Sequence, residues 1–171
     1  MQNNVSNLIT YITALAALII SIKSFIADHD RRKKQSTIEY YNKISSEACG
    51  PLRKAIMKEL KETLINYSYR TIMPDDKIWK KNKKLQKKCF KYCRFMERFA
   101  VGIKLNIYDY KTFFNIAGTT TAKLFQQIQY LINEDFHSNF QSYIFCVEYK
   151  NLCGKLLKQI LSRNHSLIKY K

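Results

Sequence analysis

The chain has 171 residues, 46% of them apolar and 13% aromatic, with four glycines and two prolines. That length holds one domain and an attachment, and so few breakers exclude a turn-rich all-β fold. Thirty Lys and Arg against 13 Asp and Glu leave a net charge of +17, a field that attracts phospholipid head groups, nucleic acid or acidic proteins without choosing among them.

The first element is apolar. Residues 1–22 carry no charged side chain, and LITYITALAALIISI runs from Leu8 to Ile22. Lys23 interrupts it before SFIA continues to Ala27. A helix needs about 20 residues to cross hydrocarbon. Val5 to Ala27 meets that length if Lys23, one turn from the wet end, carries its ammonium to the head groups. Thr10, Thr13 and Ser21 can bond carbonyls of their own helix. Two readings compete with a span. A cleaved signal peptide wants positive charge ahead of the apolar block, and MQNNVSN has none. A core helix of a soluble protein is the other. The expectation is a single transmembrane helix over residues 5–27. Arg31, Arg32, Lys33 and Lys34 follow it closely and predict that the rest of the chain stays on the cytoplasmic side of an inner or plasma membrane, amino terminus outward.

Ile38, Tyr41 and Ile44 recur at helical spacing, so residues 28–50 read as a basic stalk helix that Gly50-Pro51 stops. Pro51 then opens the next helix, with Leu52, Ile56, Leu60 and Leu64 on one stripe. SYRTIMPDD reads as a loop, with Asp75 or Asp76 as N-cap of a long helix from Lys77 to about Lys104. The apolar face of that helix is Ile78, Leu85, Cys89, Tyr92, Met96, Ala100 and Ile103. NIYDYK breaks it. Asp109 caps a helix from Tyr110 to Asn133, in which Gly118 and the three threonines of AGTTTA predict a kink or a close helix approach. EDFHSN turns the chain. Ser138 or Asn139 opens a last helix to about Arg163, with Phe145, Tyr149, Leu152, Leu156 and Ile160 aligned. Residues 164–171 read as a frayed tail. The fold class is all-α: the transmembrane helix, then a cytoplasmic bundle of about four helices, with the bundle domain over residues 51–163.

KIWKKNKKLQKKCFKYCR, Lys77 to Arg94, holds nine cations and no acid. Lys77, Lys80, Lys81, Lys84, Lys87, Lys88, Lys91 and Arg94 fall on one helical face, with Trp79 at its flank. A solvated surface is the plain reading of such a face. Anionic lipid is the first functional one, at roughly 1 kcal/mol per cation near the membrane. Nucleic acid, bound through its phosphates, or an acidic protein ranks below lipid. The membrane-flanking cations are Lys23, Arg31, Arg32, Lys33 and Lys34.

Cys49, Cys89, Cys93, Cys146 and Cys153 are odd in number and widely spaced, which suits a reducing compartment rather than a disulfide framework. Four of them on two facing helices lack the tight loops of a zinc site, and cysteine also packs as a small hydrophobe. Glu134 and His137 form one Glu-x-x-His, where a di-iron bundle needs two plus further carboxylates. No phosphate loop, nucleophile elbow or paired carboxylates occur, so neither catalytic residues, a cofactor nor a metal is expected. The reading is a scaffold or effector acting through a protein partner or its own copies.

One stretch carries a resemblance: CRFMERFAVGIKLNIYDYKTFFNIAGTTTAKLFQQIQYLI, Cys93 to Ile132. It resembles bacterial proteins grouped as a domain of unknown function, DUF4760. These typically carry an amino-terminal membrane helix, a basic Thr-containing segment and an ERFAVGI…YD signature. RRKKQSTIEYYNKI, Arg31 to Ile44, matches the second element. The family usually has Gly where this chain has Asn106. The resemblance implies a helical, membrane-tethered protein and brings no activity or site residues. Physically the signature reads as structure. Phe95, Phe99, Ala100 and Ile103 fill a core, Glu97 with Arg98 pins a neighbouring helix, and Tyr108 and Asp109 shape a turn.

Overall fold

The structure, a computed structural model, describes residues 2–60, 81–139 and 146–168, with side chains over 10–58, 81–129 and 146–163. All regular structure among the described residues is helical. Ile78, Leu64, Phe145 and the 68–76 loop with its Asp75 or Asp76 cap lie outside them.

The first helix is far longer than the breakers predict. Helix α1 (Gln2–Ile44) passes through a π-helical turn (Ser45–Cys49) into α2 (Gly50–Leu60). Gly50-Pro51 does not stop it. Proline lacks an N–H and its ring crowds the carbonyl four residues back. The π turn widens the backbone just ahead of it, where the Gly50 N–H bonds the Ser45 carbonyl five residues back. The widening lets the helix continue with one bulge, so the 28–50 stalk and the helix after it are one rod.

Helix α3 (Lys83–Lys104) starts later than the cation periodicity implies. Asn82 leaves helical geometry, at φ −105° and ψ 77°, and its side chain accepts the Leu85 N–H at 2.9 Å. It is therefore the N-cap, and a single helix from Lys77 to Lys104 does not form. The mid-run Asn between lysines reads as helix interior by charge spacing, but its short amide satisfies an orphan donor better as a cap. The buried face of α3 agrees with the apolar pattern: Leu85, Cys89, Tyr92, Met96 and Ala100 are buried, and Ile103 is half-buried.

The α3 exit is a left-handed turn. Asn106 has φ 62°. Its N–H bonds the Ile103 carbonyl at 3.0 Å, and the Ile107 N–H bonds the Gly102 carbonyl at 2.8 Å, the Schellman pairing. A residue tolerant of positive φ is favoured there, and Asn is one whose short polar side chain accepts it. Asp109 then caps the next helix as predicted, accepting the Thr112 N–H at 2.7 Å.

That helix comprises α4 (Tyr110–Phe113), a second π turn (Phe114–Gly118) and α5 (Thr119–Asn139). The irregularity expected at AGTTTA is this π turn, and the approach is close. A Cβ on Gly118 would lie 2.9 Å from Phe114 and 3.4 Å from Leu156 of the last helix. The helix runs through EDFHSN, where a turn is expected, and the last helix, α6 (Val147–Ile168), starts later and extends past Arg163. EDFHSN contains no Gly or Pro, so nothing in it breaks a helix.

The core is one cluster fed by every helix. Ile44, Leu52 and Ile56 come from the rod, Met96 and Phe99 from α3, Phe113 and Ile128 from the third helix, and Tyr149 and Leu156 from α6. The rod splits into two zones. From residue 10 to 32 every side chain is exposed, including Ile12, Ile19, Phe25 and Ile26. Thr37 is the first fully buried residue among the described side chains.

Candidate functional site

The best-built polar site is the junction where the rod meets the α3–α4 turn. Thr37 donates its hydroxyl to the Lys33 carbonyl at 2.8 Å and accepts the Asp109 backbone N–H at 2.7 Å. The Lys33 ammonium reaches the Asn106 side-chain oxygen. One turn along the rod, Tyr40 stacks on Tyr108 (centroids 5.1 Å) and on Phe99 (5.8 Å), which stack on one another at 4.9 Å. Gly102 lies under the Tyr108 ring, and any Cβ there would overlap it. Burial pushes the Asp109 carboxyl up. The two hydrogen bonds with Thr112 and the nearby Lys33 and Lys34 outweigh that and hold it below the ordinary aspartate range. The RRKKQST segment and the YD turn, separate in the sequence, are thus one interlocked joint.

A second joint starts the last helix. Cys146 sits at φ 73°, unusual for a side chain with a Cβ, and its thiol faces the Cys93 carbonyl at 3.9 Å. The first amides of α6 are received by Glu97. Its carboxylate accepts the Glu148 N–H at 3.2 Å and the Tyr149 N–H at 2.8 Å, a cap supplied from another helix. Lys104 pairs with Glu148 beside it. The pinning role read for Glu97 is this bond pair. Arg98 is exposed, and among the described residues of α6 no bond of its own accompanies the pair.

The cysteines go inward. All five are buried and free. Burial, with the Cys146 and Cys89 thiols alongside, pushes the Cys93 thiol well up; burial likewise raises Cys153 and, against the pull of Arg53, Cys49. Such thiols stay protonated and make poor nucleophiles. Tyr149 donates to the Tyr92 hydroxyl at 3.2 Å within the same cluster, and burial raises both phenols well above their ordinary range. Among the described residues, no three His, Cys, Asp or Glu side chains are placed to hold a metal ion. The Glu134 and His137 side chains lie outside the described set. The arrangement of these described side chains packs and orients the helices.

The lysine face is only partly one face. Lys84, Lys87, Lys88, Lys91 and Arg94 are exposed along α3. Lys81 is exposed but precedes the Asn82 cap, so it does not share that helix, and Lys77 and Lys80 lie outside the described residues. Lys91 faces Glu47 at 3.9 Å and the Phe95 ring at 5.8 Å. Contacts run in reverse order along the two helices: Lys91 meets Glu47, Phe99 meets Tyr40, and the turn meets Lys33. Helix α3 is therefore antiparallel to the rod.

The Thr37–Asp109 joint lies inside a family match, whereas the α6 side of the second joint, Cys146 to Tyr149, lies beyond it. The model for Domain of unknown function (DUF4760) matches residues 11–144. The chain belongs to the DUF4760 family. The match begins within the apolar zone of the rod and takes in both partners of the Thr37–Asp109 joint. No curated protein and no solved structure matches the chain.

Among the described residues, candidate spans are confined to the rod. One helix, Thr10–Lys58, is long and apolar enough to cross a membrane, and none of its apolar window is covered by the rest of the protein.

Proposed function

We propose that this DUF4760 chain is a single-span membrane protein, amino terminus outward, whose helical domain serves on the cytoplasmic side as an interaction module, a scaffold or effector for a protein partner or for further copies of itself. One observation carries the reading: the oily zone is wholly uncovered, yet it is continuous with a rod that the domain grips from Thr37 onward. A core helix would be buried by its own domain. A signal peptide is cut away from its mature domain, whereas here the family match runs from residue 11 into the bundle. The cations Arg31, Arg32, Lys33 and Lys34 stand where the cytoplasmic flank of a span carries them.

Membrane fractionation tests it. The protein is expected to stay in the membrane pellet after alkaline carbonate washing, and recovery in the supernatant sinks the anchor. Ile19→Arg, in the middle of the oily zone, is expected to cost about 2.5–3.5 kcal/mol of insertion and to shift the protein toward the soluble or degraded pool. A tag at residue 2 that proved inaccessible from outside would sink the orientation.

The exposed lysines of α3 favour a second reading, a row that binds an acidic macromolecule. Glu47 is twenty residues past Ala27, so a bilayer ending at Ala27 is about 30 Å from Lys91 along the rod, and Lys84 is farther still. An ordinary span tilt of about 20° shortens that distance by less than a tenth. The row therefore runs away from the lipid, and acidic protein or nucleic-acid phosphate replaces lipid as its partner. Changing Lys84, Lys87, Lys88 and Lys91 together to Gln is expected to weaken retention on an anionic heparin matrix and to flatten its salt dependence. An unchanged elution salt dismisses the row.

A further inference from the structure

The α3–α4 turn ends in two uncovered aliphatic side chains. Leu105 is 64% exposed and Ile107 is 55% exposed. Asn106, between them, is tied to Lys33. Lys33 is six residues past Ala27, about 9 Å farther along a helical rod. Side chains on a helix lean toward its amino end, so the Lys33 ammonium, and with it the turn, lies on the membrane side of the Lys33 backbone. The head-group layer of one leaflet is roughly 5–8 Å thick. The antiparallel course of α3 carries this turn back toward the oily zone, and Lys34 and Lys111 are exposed beside it.

We infer that residues 105–107 form a second membrane contact, with Leu105 and Ile107 seated in the head-group layer beside the span. The inference rests on the single-span reading. Its occupant is lipid because the rod fixes the height of the turn, and because exposed aliphatics rimmed by lysine match an anionic interface. Two anchor points, the span and the turn, hold the domain upright, since the span alone leaves the rod free to tilt and rotate.

The test uses the full chain in vesicles of phosphatidylcholine and phosphatidylglycerol. Ile107→Cys and Lys84→Cys are each labelled with an environment-sensitive fluorophore; the native thiols are buried. The label at 107 is expected to be blue-shifted, with an acrylamide quenching constant roughly threefold below that at 84, as for a side chain lodged in the interface. Equal quenching at both positions overturns the contact. Protection at 107 that grows with the protein-to-lipid ratio assigns the turn to a second copy and overturns it too. Flotation of the same vesicles after an alkaline wash separates the readings. Protein that floats with an unprotected 107 label removes the turn contact alone, and protein that fails to float removes the span and the contact together.

Discussion

Glu97→Ala is expected to lower stability by about 2–4 kcal/mol, because hydrogen bonds to a charged group contribute roughly 1.5–3 kcal/mol each and two amides lose their acceptor together. Glu97 sits near the middle of α3, yet its energetic role is at another helix. The first N–H groups of α6 have no partner in their own helix, and Cys146, at φ 73°, offers no capping hydroxyl or carboxylate. Glu97 supplies both acceptors and a negative charge where the helix dipole favours one. Glu97→Gln keeps one carbonyl oxygen and is expected to recover about half of the loss. Urea unfolding in detergent gives the magnitude, and amide exchange at Glu148 and Tyr149 gives the location. An alanine variant whose exchange at those two amides matched the parent would sink the capping role, whatever its midpoint.

Phe99→Ala is expected to cost about 3–5 kcal/mol, the range for deleting a fully enclosed aromatic ring. Phe99 is completely buried and links three elements. It stacks on Tyr40 of the rod and Tyr108 of the turn, and meets Phe113 of α4 edge-on at 4.8 Å. Its loss opens a void where the rod joins the bundle, so the rod is expected to lose amide protection around Thr37–Tyr41 before α5 does. Phe95→Ala supplies the contrast. Phe95 is only half-buried, so its truncation is expected to cost about 1 kcal/mol, as for an ordinary partly exposed site. Similar losses for the two variants would contradict the joint described here.

Much of this fold is legible in the residues because helices announce themselves locally. Asp109 is readable as a cap, since an Asp ahead of a periodic run satisfies an orphan amide by its own short side chain. The inward face of α3 is readable too, since Leu85, Cys89, Tyr92, Met96 and Ala100 repeat at the helical period whatever covers them. Asn82 is harder. Its neighbours continue the charge period, and a cap differs from a helical Asn only in backbone angles that depend on the chain before it. Pro51 misleads for the opposite reason. Proline usually ends a helix, and a π turn rescues it only where packing at Ile44, Ala48, Cys49 and Leu52 holds the wider turn in place.

By itself, the sequence determined the elements whose causes are local. These are the helical class, the oily zone followed by four cations and the Asp109 cap. Tertiary structure alone decided the rest: that the rod is unbroken through Gly50-Pro51, that Glu97 caps a helix fifty residues away, that Thr37 donates to Lys33 while receiving the Asp109 amide, and that the lysine row runs away from the oily zone. Period, hydropathy and capping act over one or two turns. Partners across the bundle are set by which faces meet, and that depends on every helix at once.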